Sequence, residues 1–138
     1  VSERPTPMFQ LYRLAGSGTA TGAGGVWWRV VSPNGRALGR SAHELVDVAA
    51  ATAHLARVIA ERERLEPTVR VTTSHRWRWQ LALDGDIVVH GSAEQDRRVR
   101  CDAAWRAFVQ VAGQAQIDPA VHTFHRGYAP APLAPAGG

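Results

Sequence analysis

The sequence predicts an α+β fold built from two tandem β-β-β-α repeats. Three observations carry that expectation. The chain matches itself at a spacing of 50 or 51 residues, each copy has a hairpin dipeptide at the same place, and each closes on a segment of helical periodicity. In the first copy the match runs Val26-Trp-Trp-Arg-Val-Val-Ser-Pro-Asn-Gly35-Arg-Ala-Leu-Gly-Arg-Ser41. In the second it runs Arg76-Trp-Arg-Trp-Gln-Leu-Ala-Leu-Asp-Gly85-Asp-Ile-Val-Val-His-Gly-Ser92. Trp28 thus matches Trp79, Val30 matches Leu81, Gly35 matches Gly85 and Ser41 matches Ser92.

The elements follow in order. Residues 9–14 read as a first strand, and the strand after it carries Trp28. Asn34-Gly35 then supplies residues that tolerate positive φ, a hairpin signal that leads into a third strand. Val48, Ala51, Leu55, Val58 and Ile59 recur at helical spacing, which predicts a helix over 48–61. The second copy repeats the pattern: a strand over 68–73, a strand with Trp77 and Trp79, the dipeptide Asp84-Gly85, a third strand, and a helix over 98–113. That helix has Cys101, Trp105, Phe108, Val109 and Ala112 on its inner stripe. One unit is too small for a good core, and two packed together solve that problem. The expected domain spans 1–113, with repeats over about 8–61 and 67–113. Asp118-Pro119 reads as an N-cap with a first-position proline, so 114–128 is expected to form a short helical extension with Val121, Phe124 and Tyr128 on its apolar side. Residues 129–138 form a Pro/Ala-rich tail, and residues 1–7 a frayed lead-in.

The pattern Phe9-Gln-Leu-Tyr12, then Trp28-Arg29 and a hydrophobic residue, then Asn34-Gly35 and a helix, resembles the YegP-like family of small bacterial proteins. The similarity covers about residues 8–113. It is weaker in the second copy, where Gln80 and Asp84 stand in place of Arg and Asn, and the loop over 15–25 is longer than is usual in the family. The resemblance implies a two-layer fold with an antiparallel sheet covered by helices on one face. It implies no activity and no catalytic residues.

Composition narrows the function classes. The apolar fraction of 45% excludes a disordered chain, and no apolar run approaches the roughly 20 residues of a membrane span, so no membrane partner is expected. The start, Val1-Ser-Glu-Arg-Pro5, lacks a basic segment followed by an apolar one, so no signal peptide is expected. Cys101 is the single cysteine and cannot form an internal disulfide, which points to a cytoplasmic location. All 16 cations are arginine against 12 acids, for a net charge of +4. Six arginines lie in residues 1–60 and ten in 61–138, a thin spread unlike a dedicated basic stripe.

No motif carries catalysis. The glycine-rich stretch over 15–25 leads into a strand and lacks a following Gly-Lys-Ser/Thr, so it reads as a hairpin connection and not as a nucleotide site. His43-Glu44-Leu-Val-Asp47 has Asp where a zinc-protease helix needs its second histidine, and reads as the lead-in to the first helix. His122-Thr-Phe-His125 would place two imidazoles one helical turn apart, with no further ligand at suitable spacing. Cys101 reads as a buried, inert thiol, and Asp84 and Asp86 as solvated turn carboxylates. No cofactor, metal or catalytic residue is expected.

The strand alternation supplies the candidate site. Trp28, Val30, Trp77, Trp79, Leu81 and Leu83 point toward the helices. The other face then receives Trp27, Arg29 and Val31 from one copy and Arg76, Arg78 and Gln80 from the other, with Tyr12 as a neighbour. The expectation is a non-enzymatic binding or accessory module acting through Trp27, Arg29, Arg76, Arg78 and Tyr12. A protein partner or self-association suits such a face, since Trp and Arg are enriched in hot spots. The alternative is single-stranded RNA or DNA, bound by stacking and phosphate contact, and the third reading is a purely structural face on which arginine stems cover the indoles.

Overall fold

A computed structural model describes residues 6–15 and 25–125. The glycine-rich connection, the lead-in up to residue 5, the C-terminal tail and Tyr128 lie outside the described residues.

The first half runs β1 (Met8–Ala15), β2 (Trp27–Val31), β3 (Ala37–Ser41) and α1 (Val48–Ala60). A 3-10 turn at Arg62–Arg64 leads to the second half: β4 (Glu66–Val71), β5 (Trp77–Leu83), β6 (Asp86–Gly91) and α2 (Arg98–Ala112). β7 (Gln116–His125) closes the described chain. The seven strands form one sheet in the order β4-β5-β6-β3-β2-β1-β7, antiparallel except where β7 lies parallel to β1. β3 and β6 pair antiparallel at the centre and so join the two halves.

Local chemistry explains the turns. Asp84 and Gly85 both take left-handed backbone, with φ of 51° and 86°, the geometry that matches a two-residue turn to strand twist. Among the described residues of the first half Gly35 alone is left-handed, at φ 84°, in a longer turn that coincides with a register shift between Val30 and Val31. The same longer turn recurs between β4 and β5, with His75 in the left-handed position at φ 61°. Asp47 caps α1, its Oδ1 accepting from the Ala50 amide at 2.7 Å. Asp84 is not simply solvated: it accepts from Arg57 at 2.9 Å and Arg64 at 2.6 Å, tying the β5–β6 turn to the end of α1.

Both helices pack on one face. Phe108 of α2 lies between Trp28 and Trp79, at ring separations of 6.4 Å and 5.5 Å. Phe9, Leu11, Val30, Leu81 and Val89 from the sheet meet Ala51, Leu55, Val58, Cys101 and Ala112 from the helices in the same core. Trp28 Nε1 donates to His54 Nδ1 at 2.9 Å, so the one polar atom of that buried indole is satisfied. Trp77, expected in the core, sits at its margin, half-buried beneath the Arg98 guanidinium.

The C-terminal extension corrects the expected helix. Residues 116–125 form an edge strand because β1 otherwise presents an open row of backbone groups. Asp118 accepts from the Ala120 amide at 2.9 Å, and Asp118-Pro119 falls where the β1–β7 register shifts. An edge-strand irregularity is a place where proline is tolerated. The extension is therefore part of the same sheet, and His122 and His125 do not share a helical turn.

Candidate binding face of the sheet

Among the described residues, the side of the sheet away from α1 and α2 carries no helix. A row of directly opposed residues crosses six strands there: Gln10, Arg29, Arg40, His90, Gln80 and Thr68, each the register partner of the next. Their neighbours on β2, β3 and β6 explain the facing. Val30 is core, and Gly39 and Gly91 lie against Phe108 and Trp79, so Arg29, Arg40 and His90 point the other way.

Like charges directly opposed across strands are unfavourable, yet Arg29 faces Arg40. Aromatic rings and neutral oxygens offset the repulsion. The Arg29 guanidinium lies 4.6 Å over the Phe124 ring and 5.9 Å over that of Tyr12, and its Nε donates to Gln10 Oε1 at 3.0 Å. Arg40 is 5% exposed, lies 5.3 Å over Trp27, and donates from Nη1 to the Ser41 carbonyl at 2.8 Å. Burial lowers the pKa of both arginines. Tyr12 stacks on Trp27 at 6.5 Å and packs on Phe124 at 5.4 Å. Burial outweighs the two arginines and pushes its phenol up to about 12. Trp27 Nε1 is buried with no hydrogen-bond partner.

The five residues expected to share a face thus form two groups. Tyr12 on β1 contacts both Trp27 and Arg29 on β2. Arg76 and Arg78 meet on the other half, where Glu94 pairs with Arg76 Nε at 3.5 Å and Arg78 Nε at 3.8 Å. Arg40 and His90, not among the expected residues, lie between the groups. Burial first, then Arg40, Arg78 and His43, push the His90 imidazole down to about 4, so it is neutral at pH 7. Arg40 was accessible by counting back from Asn34-Gly35, which sets it opposite Arg29. Phe124 was not, because it depends on β7.

Cys101 is fully buried, and burial with Asp102 pushes its thiol up to about 11. Among the described residues no three His, Cys, Asp or Glu side chains converge as a metal site. No described helix is long and apolar enough to cross a membrane.

Two structures solved in solution share this architecture. One is the protein of unknown function yegP from E. coli, with a TM-score of 0.61 at 15% identity, over 88% of this chain and 95% of that one. The chain has the YegP fold. A UPF0339 protein from Shewanella oneidensis also has it, with a TM-score of 0.61 at 10% identity, over 87% of this chain and 92% of the other. No family model and no curated protein matches the sequence. The resemblance carried by Trp28-Arg29 and Asn34-Gly35 therefore holds for the YegP fold itself, and the row from Gln10 to Thr68 lies on that scaffold.

Proposed function

We propose that this YegP-fold chain is a cytoplasmic, non-enzymatic binding module whose helix-free sheet face takes an acidic segment of a partner protein. The observation that carries the reading is the six-residue row, which has Arg29 and Arg40 near its centre and no carboxylate in it. Charge complementarity favours an anionic partner. The rings on the face favour a peptide over a base. Trp27 is covered by Tyr12 and Arg40, and Phe124 by Arg29, so these aromatics already have stacking partners. Cys101 is a neutral buried thiol and His54 accepts from Trp28, so neither is available on this face as nucleophile or base. The single cysteine supports the cytoplasmic assignment.

The test is fluorescence anisotropy with a labelled glutamate-rich peptide and a labelled single-stranded oligonucleotide, at low and near-physiological salt. Peptide binding that persists in salt and weakens in Arg29→Gln supports the module. Preferential oligonucleotide binding replaces it with a nucleic-acid binder. Concentration-dependent dimerisation that Trp27→Ala abolishes makes the partner a second copy.

A further inference from the structure

On the β4-β5-β6 half of the same face, four polar side chains converge on one shallow depression. Arg70 on β4 is the register partner of Arg78 on β5, and Gln80 on β5 is the partner of His90 on β6. Directly opposed antiparallel residues hold their Cβ atoms about 4.5–5.5 Å apart, so the two guanidinium stems start side by side. The depression is lined by Arg70, Arg78, Gln80 and His90, with Trp79 and Gly91 at its base, and has a volume of about 200 Å³. That is below the roughly 300–1,000 Å³ of a site enclosing a drug-sized ligand. It accommodates a charged group and not a nucleoside.

No residue lining the depression is acidic. Glu94, outside the lining, is shared between Arg76 and Arg78 at 3.5 Å and 3.8 Å. Arg40, the register partner of His90, adds a further positive charge beside the depression. Gln80 brings an amide and His90 an uncharged imidazole at neutral pH, which offer hydrogen bonds without adding repulsion. Two guanidinium forks with an amide and an imidazole give more donors than a planar carboxylate needs, and suit the several oxygens of a tetrahedral dianion.

We infer that Arg70, Arg78, Gln80 and His90 form a subsite for a phosphate group. The inference rests on the proposed binding face and gives it a specificity: the segment it takes is phosphorylated. The same chemistry is offered by free inorganic phosphate, and the experiment separates the two sources.

The full-length chain, labelled with 15N, is titrated at pH 7 with inorganic phosphate at constant ionic strength, with chloride as the control. A phosphoserine peptide and its unphosphorylated counterpart follow. Saturable shifts centred on Arg70, Arg78, Gln80 and His90 are expected with phosphate, together with tighter binding of the phosphopeptide. Arg70→Gln, at an exposed position that leaves the core intact, is expected to weaken phosphate binding about tenfold or more, the scale of one charge-assisted hydrogen bond. Arg106→Gln, exposed on α2 and away from the depression, is expected to leave inorganic phosphate binding in place. Shifts that fail to saturate, that chloride reproduces, or that survive Arg70→Gln overturn the subsite. If acidic peptide binds the face while phosphate leaves these four residues unshifted, the subsite fails and the binding face stands. If inorganic phosphate saturates here and neither peptide binds, the assignment to a phosphorylated segment fails with the binding face, leaving a site for free phosphate.

Discussion

Arg40 and His90 are register partners across β3 and β6, and each stands eight residues before its own helix begins at Val48 or Arg98. The junction between the two β-β-β-α halves therefore passes between a guanidinium and an imidazole. Burial and the Arg40 charge act together on His90, and they keep it neutral where an exposed histidine would titrate.

Stability is expected to fall with acid because of this arrangement. The folded pKa of His90 is lowered to about 4, and burial also lowers that of His54. The unfolded chain thus binds more protons below about pH 6.5, so the contribution is fully present above that pH and is lost as pH falls toward the folded value. Urea midpoints at pH 7 and pH 5 should show the loss, and His90→Gln should show a smaller one. Equal losses in the two proteins contradict the assignment.

Core and face substitutions should separate cleanly. Trp79 is 3% exposed and packs on Phe108, so Trp79→Ala should cost about 3–5 kcal/mol. Trp27 is half-buried and its Nε1 has no partner to lose, so Trp27→Ala should cost about 1–2 kcal/mol. Chemical denaturation measures both.

The glycines beside the tryptophan are a further test. A Cβ on Gly91 would sit 2.5 Å from Trp79 Nε1, and one on Gly39 would sit 2.8 Å from Phe108. Gly91→Ala and Gly39→Ala should each cost about 1–3 kcal/mol through overpacking, with blue-shifted or broadened tryptophan fluorescence. Gly35→Ala meets no atom within 4 Å, and its loss should come from the left-handed backbone alone, about 1–2 kcal/mol.

Much of this fold is legible in the sequence because its signals are local. Trp28 and Trp79 alternate with polar residues at period two, Asp84-Gly85 marks a hairpin, and Ala51 and Cys101 fall on buried helix stripes at matching positions. β7 was not legible. Asp118-Pro119 carries the same residue types at a helix start and at a strand irregularity, and the partner that decides between them is β1, at the other end of the described chain. The facing of the helix-free side was read in part, since Trp27, Arg29 and Arg78 follow from alternation. Arg40, although within reach of the hairpin count, and His90 were passed over because the core side of their strands carries Gly39, Ser41 and Gly91, small residues that blur the hydrophobic pattern.

The salt link at Asp84 should matter little. It joins Arg57 and Arg64, all three at side-chain exposures near one half. Asp84→Asn keeps a residue that tolerates left-handed backbone and should cost under about 1 kcal/mol. Asp84→Val places a β-branched side chain at φ 51° and should cost more. Thermal denaturation of the two variants gives the ranking.

Amide chemical-shift mapping with an acidic peptide tests most directly whether the helix-free face is the working surface. Shifts along Gln10, Arg29, Arg40, His90 and Gln80 that are lost in Arg29→Gln are the predicted result. Shifts confined to the outer surfaces of α1 and α2, around Thr52, Ala56 and Arg106, contradict it.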